Sequence, residues 1–193
     1  MFVKKYIKES IDILNKIDVN KLEKIISLIT NVRRNKGRIF FLGVGGSAAN
    51  ASHAVNDFRK LACIESYAPT DNVSELTART NDEGWRTVFK EWLKISKLNK
   101  KDLIFIFSVG GGNKEKKISE NLVEAINYAK KVRSKICGIV GKNGGYTNKV
   151  TNYCLRIPSE NPKLITPHTE GFQAIIWHLI ISHPKIQINK TKW

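Results

Sequence analysis

Two glycine-rich turns constrain this chain more than any other feature. Each follows a short apolar run and leads into a helical pattern. Residues 38–42 run into Gly43, Val44, Gly45, Gly46 and Ser47, and residues 102–107 run into Ser108, Val109, Gly110, Gly111, Gly112 and Asn113. Short apolar runs without alternation read as strands buried on both faces. Helical patterns follow at 47–61 and 117–133. A third strand spans 135–140, a third turn holds Gly141, Lys142, Asn143, Gly144 and Gly145, and a fourth strand at 153–157 is closed by Pro158. The last helix is expected at 169–182. Strands alternating with helices imply a parallel sheet covered on both sides, and right-handed crossovers gather the glycine turns at one sheet edge.

Two amphipathic helices, 3–17 and 20–35, precede the first strand. In the second, Leu22, Ile25, Ile26, Leu28 and Ile29 fall largely on one face, Asp18 or Asn20 can cap its start, and Gly37 follows its end. The segment 64–100 is less regular: a short strand at 64–68 and helices at 72–80 and 85–96, broken at 81–84. With 193 residues and 41% hydrophobic side chains, the chain is sized for one domain with its own core, and no linker or repeat divides it.

Composition narrows the partners. No run approaches the roughly 18–20 apolar residues of a membrane span, and the longest candidate, 171–182, is too short. Charges interrupt the apolar positions of the N-terminus, unlike a signal peptide, so a cytoplasmic protein is expected. The formal charge is +16. Its lysines outnumber arginines by 25 to 8 and are spread along the chain, which disfavours nucleic acid and favours an anionic small molecule. Cys63, Cys137 and Cys154 are odd in number and widely spaced, against both a disulfide framework and a cysteine metal site.

A glycine loop entering a helix lets a ligand approach backbone N–H groups. A tight βα turn does the same without a ligand, but two such loops at one sheet edge favour an anion cradle. Neither loop is a P-loop or GxGxxG, so a sugar phosphate suits them better than a nucleotide, and no nucleotide or organic cofactor is expected. Ser47 and Ser108 add hydroxyl donors. His53 and Asp57 are four apart, hence about 6 Å apart on one helix face. Such a pair can hold a metal jointly, orient a general base, or form a solvated His–Asp contact. His178 lies in an apolar helix expected to be mostly buried, where a lone histidine is commonly a satisfied core residue. Glu170 precedes it by eight residues, about 12 Å in rise and roughly 80° in rotation, so one ion is not easily held by both side chains of one helix. If both serve one site type, a neighbouring subunit supplies one of them.

The run GVGGSAANASHAVNDF resembles the GNGGSxxDAxHxxxE signature of the phosphoheptose isomerases, enzymes of the sugar isomerase (SIS) domain class. The likeness extends over nearly the whole chain, taking in the two N-terminal helices, Asn81 and Asp82 before an aromatic, the second glycine loop, the Gly141–Gly145 turn and the late helix with its histidine. It implies a flavodoxin-like three-layer α/β/α sandwich forming a single SIS domain over 1–193, with N-terminal helices (1–36) packing on the core or a neighbouring subunit and an α/β core at 37–185. It also implies a homotetramer with active sites at subunit boundaries.

Carried over by position, the resemblance puts Val44, Gly45, Gly46, Ser47, Asp57, Asn81, Asp82, Ser108, Val109, Gly110, Asn113 and Glu170 at the substrate. It makes Asp57 the base and His178 the acid. It assigns a divalent ion, zinc or similar, to His53, Asp57, Glu170 and His178. Val44 replaces a family asparagine, Asp57 a glutamate and Glu170 a glutamine. The second loop lacks two of the serines in the family's STSGNS. The implied reaction interconverts sedoheptulose 7-phosphate and D-glycero-D-manno-heptose 7-phosphate through an enediol(ate), for surface-polysaccharide heptose. Two alternatives stay open: a non-catalytic SIS protein acting as a sugar-phosphate sensor or replication-initiator partner, and an isomerase of another sugar phosphate.

Overall fold

The computed structural model describes residues 1–192. Strands β1 (Ile39–Leu42), β2 (Ser66–Tyr67), β3 (Leu103–Ser108), β4 (Lys135–Val140) and β5 (Cys154–Arg156) form one sheet in the order β2-β1-β3-β4-β5. Every pairing is parallel. All residues of β1 and β3 are buried, which is why they are unbroken apolar runs in the sequence.

The helices are α1 (Phe2–Asn15), α2 (Val19–Arg34), α3 (Gly46–Ala62), α4 (Val73–Asp82), α5 (Val88–Ile95), α6 (Glu120–Lys131), α7 (Gly145–Val150) and α8 (Ile165–Ser182). Successive strand residues point to opposite faces. Phe41, Phe105 and Phe107 therefore pack with α2, α3 and α8 on one side, and Phe40, Ile104 and Ile106 pack with α5 and α6 on the other. This is the expected three-layer sandwich. The N-terminal pair divides its work. Helix α2 buries Ile25, Ile26, Ile29 and Val32 in the first core, whereas α1 buries only Ile13 and leaves Ile7 and Ile11 about half exposed. Cys137 and Cys154 are buried core residues, and burial pushes the Cys154 thiol up to about 12.

Several boundaries differ from expectation for local reasons. Helix α8 begins four residues earlier, at Ile165, because Pro167 falls in its first turn, where its missing N–H costs nothing. Helix α4 runs on through Asn81 and Asp82. Helix α6 starts at Glu120 because an Asn113–Ile118 bridge closes the preceding residues into a small hairpin. Asp18, not Asn20, caps α2, accepting from the Lys21 N–H at 2.8 Å. Helix α7 is not anticipated: the sequence marks only the turn 141–145 that precedes it.

From β1 the chain steps to β2 on one side, then returns past β1 to β3 on the other. The loops after β1 and β3 thus diverge at adjacent strand ends, the place where open parallel sheets hold ligands. The opposite end of these strands is fastened by Asp102. Its carboxylate is 1% exposed and accepts from the Arg38 N–H at 2.9 Å, Arg38 Nη2 at 2.8 Å and Asn99 Nδ2 at 2.8 Å. Replacing it removes the only carboxylate paired with Arg38, which keeps just the Ser96 and Lys97 carbonyls, and leaves the Arg38 backbone N–H without this acceptor, so Asp102→Ala is expected to lower unfolding free energy by about 3 kcal/mol. Urea denaturation measures this, and a loss under about 1 kcal/mol would contradict the assigned role.

Candidate active site

Helix α8 lies across α3 and brings His178 to the His53–Asp57 face. One potential ligand atom from each of the three lies within 4.8 Å of the others. The His53 and His178 rings meet edge to face at 5.4 Å. Trp177, fully buried, stacks on His178 at 3.5 Å and meets His53 edge-on at 4.7 Å, so one indole fixes both imidazoles. The His178 Nδ1 lies 2.7 Å from the Ala174 carbonyl. A carbonyl only accepts, so Nδ1 carries the proton and Nε2 is the nitrogen left for a ligand or substrate. Asp57 accepts from Asn56 Nδ2 at 2.8 Å.

His178 is exposed, not buried as its apolar neighbours imply. The buried stripe of α8 runs from His168 and Thr169 through Phe172, Gln173, Ile176 and Trp177 to Ile180 and Ile181. His178 falls on the other face, beside Ile175 and Leu179, which are 46% and 44% exposed.

The first glycine loop turns at Gly45, whose φ of 63° and ψ of −130° suit glycine alone. It delivers Gly46 to the start of α3 with Val44 exposed. Glu170 does not join the three-residue cluster. Its carboxylate lies directly against Gly46, where a Cβ would collide with it. Within one subunit Glu170 and His178 thus serve different places, as their spacing on α8 requires.

Ser47 is 2% exposed and its Oγ donates to Gln173 Oε1 at 3.0 Å, so its one hydroxyl proton is committed to helix packing. Asn50 Nδ2 donates to the same oxygen at 3.1 Å and to the Glu170 carbonyl at 3.0 Å, and Gln173 Nε2 donates to the Ile139 carbonyl at 3.3 Å. Gln173 therefore ties α3, α8 and β4 together from a fully buried position.

In the second loop, Ser108 Oγ accepts from the Gly111 N–H at 3.0 Å. The Gly111 carbonyl accepts from Thr147 Oγ1 at 2.8 Å and the Gly112 carbonyl from the Tyr146 N–H at 2.7 Å, which braces the loop on α7. Val109 and Gly110 are partly exposed beside it, and Asn113 opens the hairpin. The hairpin returns the chain to Ser119, which sits at the start of α6 with φ 50°, its carbonyl near Gly112. Ser119 is a hydroxyl that reading a contiguous motif passes over. Asn81 and Asp82 end α4 on the surface. Among the described residues their side chains bond only each other, at 2.8 Å.

Trp177 and Gln173 were the other residues sequence reasoning missed as site components, because inside an apolar helix each reads as ordinary packing. Gln173→Leu leaves the Ser47 hydroxyl without its acceptor and removes one bond each from Asn50 and the Ile139 carbonyl. A stability loss of about 2 kcal/mol is expected, with Gln173→Glu intermediate. Thermal unfolding checks it, and a Gln173→Leu protein as stable as wild type would exclude the tie.

A family model described as "SIS domain" matches residues 5–141. A phosphoheptose isomerase of Sulfurimonas denitrificans is 30% identical over 189 residues, covering 93% of this chain and 91% of its own. Phosphoheptose isomerase 2 of Campylobacter jejuni is 29% identical, with 93% and 89% covered. Among solved structures, the phosphoheptose isomerase of Neisseria gonorrhoeae superposes with a TM-score of 0.81 at 24% identity, covering 93% of this chain and 94% of that one.

Proposed function

Since the chain belongs to the SIS domain family, and within it to the phosphoheptose isomerases, we propose that it interconverts sedoheptulose 7-phosphate and D-glycero-D-manno-heptose 7-phosphate, in the cytoplasm and for surface-polysaccharide heptose. The observation that carries this reading is the convergence of His53, Asp57 and His178 within 4.8 Å at the α3–α8 contact.

An aldose–ketose isomerisation needs a base beside the two reacting carbons and an acid at the carbonyl oxygen. Asp57 takes a proton from the hydroxymethyl carbon next to the ketone. His178, protonated at Nε2 as well as Nδ1, delivers a proton to the ketone oxygen, and an enediol results. Returning a proton to the former carbonyl carbon while the neighbouring hydroxyl loses its own yields the aldehyde, with no atom gained or lost. The Ala174 carbonyl keeps His178 oriented with Nε2 outward throughout. Trp177 holds the ring plane.

Two imidazoles and a carboxylate in this arrangement suit zinc or a similar divalent ion. His53, Asp57 and His178 would hold it, and a bound ion would polarise the carbonyl oxygen. A carboxylate committed to the ion is a weaker base, and an Nε2 bound to the ion carries no proton, so Asp57 and His178 each either hold the ion or move a proton in any one state. Exposure of the cluster beside Ile175 and Leu179 supports completion of the site by a neighbouring copy in a homotetramer. Glu170 of a neighbouring copy would then be the fourth ligand.

The test is turnover of sedoheptulose 7-phosphate by purified protein, followed by NMR of the anomeric signals. Asp57→Asn and His178→Gln are each expected to lower kcat/KM by about 100-fold or more. Elemental analysis is expected to find zinc in the purified protein, lost from His53→Ala and His178→Gln. If both substitutions at the acid and base positions leave turnover within about tenfold of wild type, the assignment is wrong.

A further inference from the structure

The parallel sheet gathers at its amino-terminal edge three basic segments that lie far apart in the sequence. Residues 33–38, 97–102 and 130–135 hold eleven of the chain's 33 lysines and arginines, a third of the cations in under a tenth of the length. They lead into β1, β3 and β4, which are neighbours in the sheet, with Ile39 in register with Leu103 and Leu103 with Lys135. Hydrogen bonds lock the three segments together. The Leu103 N–H donates to the Arg38 carbonyl at 2.9 Å, the Lys135 N–H to the Asp102 carbonyl at 3.0 Å, and Lys135 Nζ to the Lys100 carbonyl at 2.9 Å. The glycine loops leave the other end of the same strands.

Arg38 is committed to Asp102, and Arg33 and Lys135 to backbone carbonyls. The other eight cations of the three segments are exposed. The one carboxylate of these segments, Asp102, is buried, and the stretches 63–65 and 151–153 that lead into β2 and β5 add Glu65 alone. Helix dipoles explain part of the charge. Lys36, Lys97 and Arg133 follow the carboxyl ends of α2, α5 and α6, where a cation is favoured. Each of the three, however, has a left-handed φ, 53°, 53° and 60°, at a position where glycine is the usual residue. Lys100 and Lys101 belong to no helix. The edge therefore carries more positive charge than helix termination needs.

We propose that this basic edge docks the protein on the surface of an anionic lipid bilayer. Six of the eight exposed cations are lysines, point charges that suit a diffuse anionic surface, whereas phosphates and base edges of a duplex are read by arginine forks. The three segments hold no aromatic residue to stack on a base. Ile95, the last residue of α5, is 71% exposed two residues before Lys97, and an apolar side chain among lysines enters the headgroup boundary. The docking is peripheral, since among the described residues no helix is long and apolar enough to cross a membrane. With the basic edge against the lipid, the glycine loops at the far edge stay open to solution.

The test is co-sedimentation of the full-length protein with vesicles of phosphatidylcholine, alone or with about one third phosphatidylglycerol, at about 0.15 M and about 0.5 M salt. Wild type is expected to bind the anionic vesicles, to ignore the neutral ones, and to be released at the higher salt. A quadruple variant, Lys97→Gln, Lys100→Gln, Lys101→Gln, Lys131→Gln, removes charge while keeping long polar side chains. It is expected to lower the partition onto anionic vesicles by about 30-fold or more, since each ammonium group near such a surface contributes roughly fivefold. A control, Lys4→Gln, Lys8→Gln, Lys24→Gln, Lys163→Gln, removes the same charge from exposed positions outside these segments and is expected to stay within about threefold of wild type. Thermal unfolding checks that both variants fold. Failure of wild type to bind anionic vesicles at the lower salt, or equal losses in the two variants, would overturn the proposal. Tighter binding of wild type to duplex DNA than to vesicles at the same salt, abolished in the first variant, would also overturn it and give the edge to nucleic acid.

Discussion

The packing of α8 across α3 is the constraint on which the site depends. Neither helix alone carries a complete set of groups. Helix α3 offers His53 and Asp57, and α8 offers His178; they converge because Phe172, Ile176 and Ile180 seat α8 in the core that also takes Ala51, Ala54 and Phe58. Two buried side chains make the seating specific. Gln173 bonds α3 and β4 at once, and Trp177 sits beneath both imidazoles. An apolar contact would tolerate sliding or rotation between the helices, whereas a fully bonded buried amide fixes one register.

The same helix pair separates two jobs along its length. Glu170 and Gly46 meet at the start of α3, and the His53, Asp57 and His178 cluster lies about two to three turns further along it. A carboxylate at the first loop and lysines around the second give the sheet edge opposite electrostatic characters on its two sides.

The fold was legible to an unusual depth because its strands are buried on both faces. Residues 39–42 and 103–108 could hardly be anything else, and the glycine turns after them followed from chain direction. The less legible parts have physical explanations. Helix α7 is too short to show periodicity, and only the turn that leads into it, 141–145, is readable in the sequence. The Asn113–Ile118 hairpin is built from charged residues that carry no strand pattern. His178 was misjudged as buried because α8 is apolar on its exposed face too, where Ile175 and Leu179 stand. Ser47 looked like a free donor because nothing local reveals Gln173, which is distant in sequence.

By itself, the order of residues determined the parallel α/β architecture, the edge where the loops gather, and the pairing of His53 with Asp57, since all three follow from periodicities of one helix or strand. Tertiary structure alone decided which side of α8 faces α3. It thereby decided that His178 joins the pair, that Glu170 goes to Gly46, and that Ser47 is consumed in packing. Those outcomes depend on how two helices rotate against a common core, and rotation is settled by the whole set of buried contacts, which no local stretch of sequence encodes.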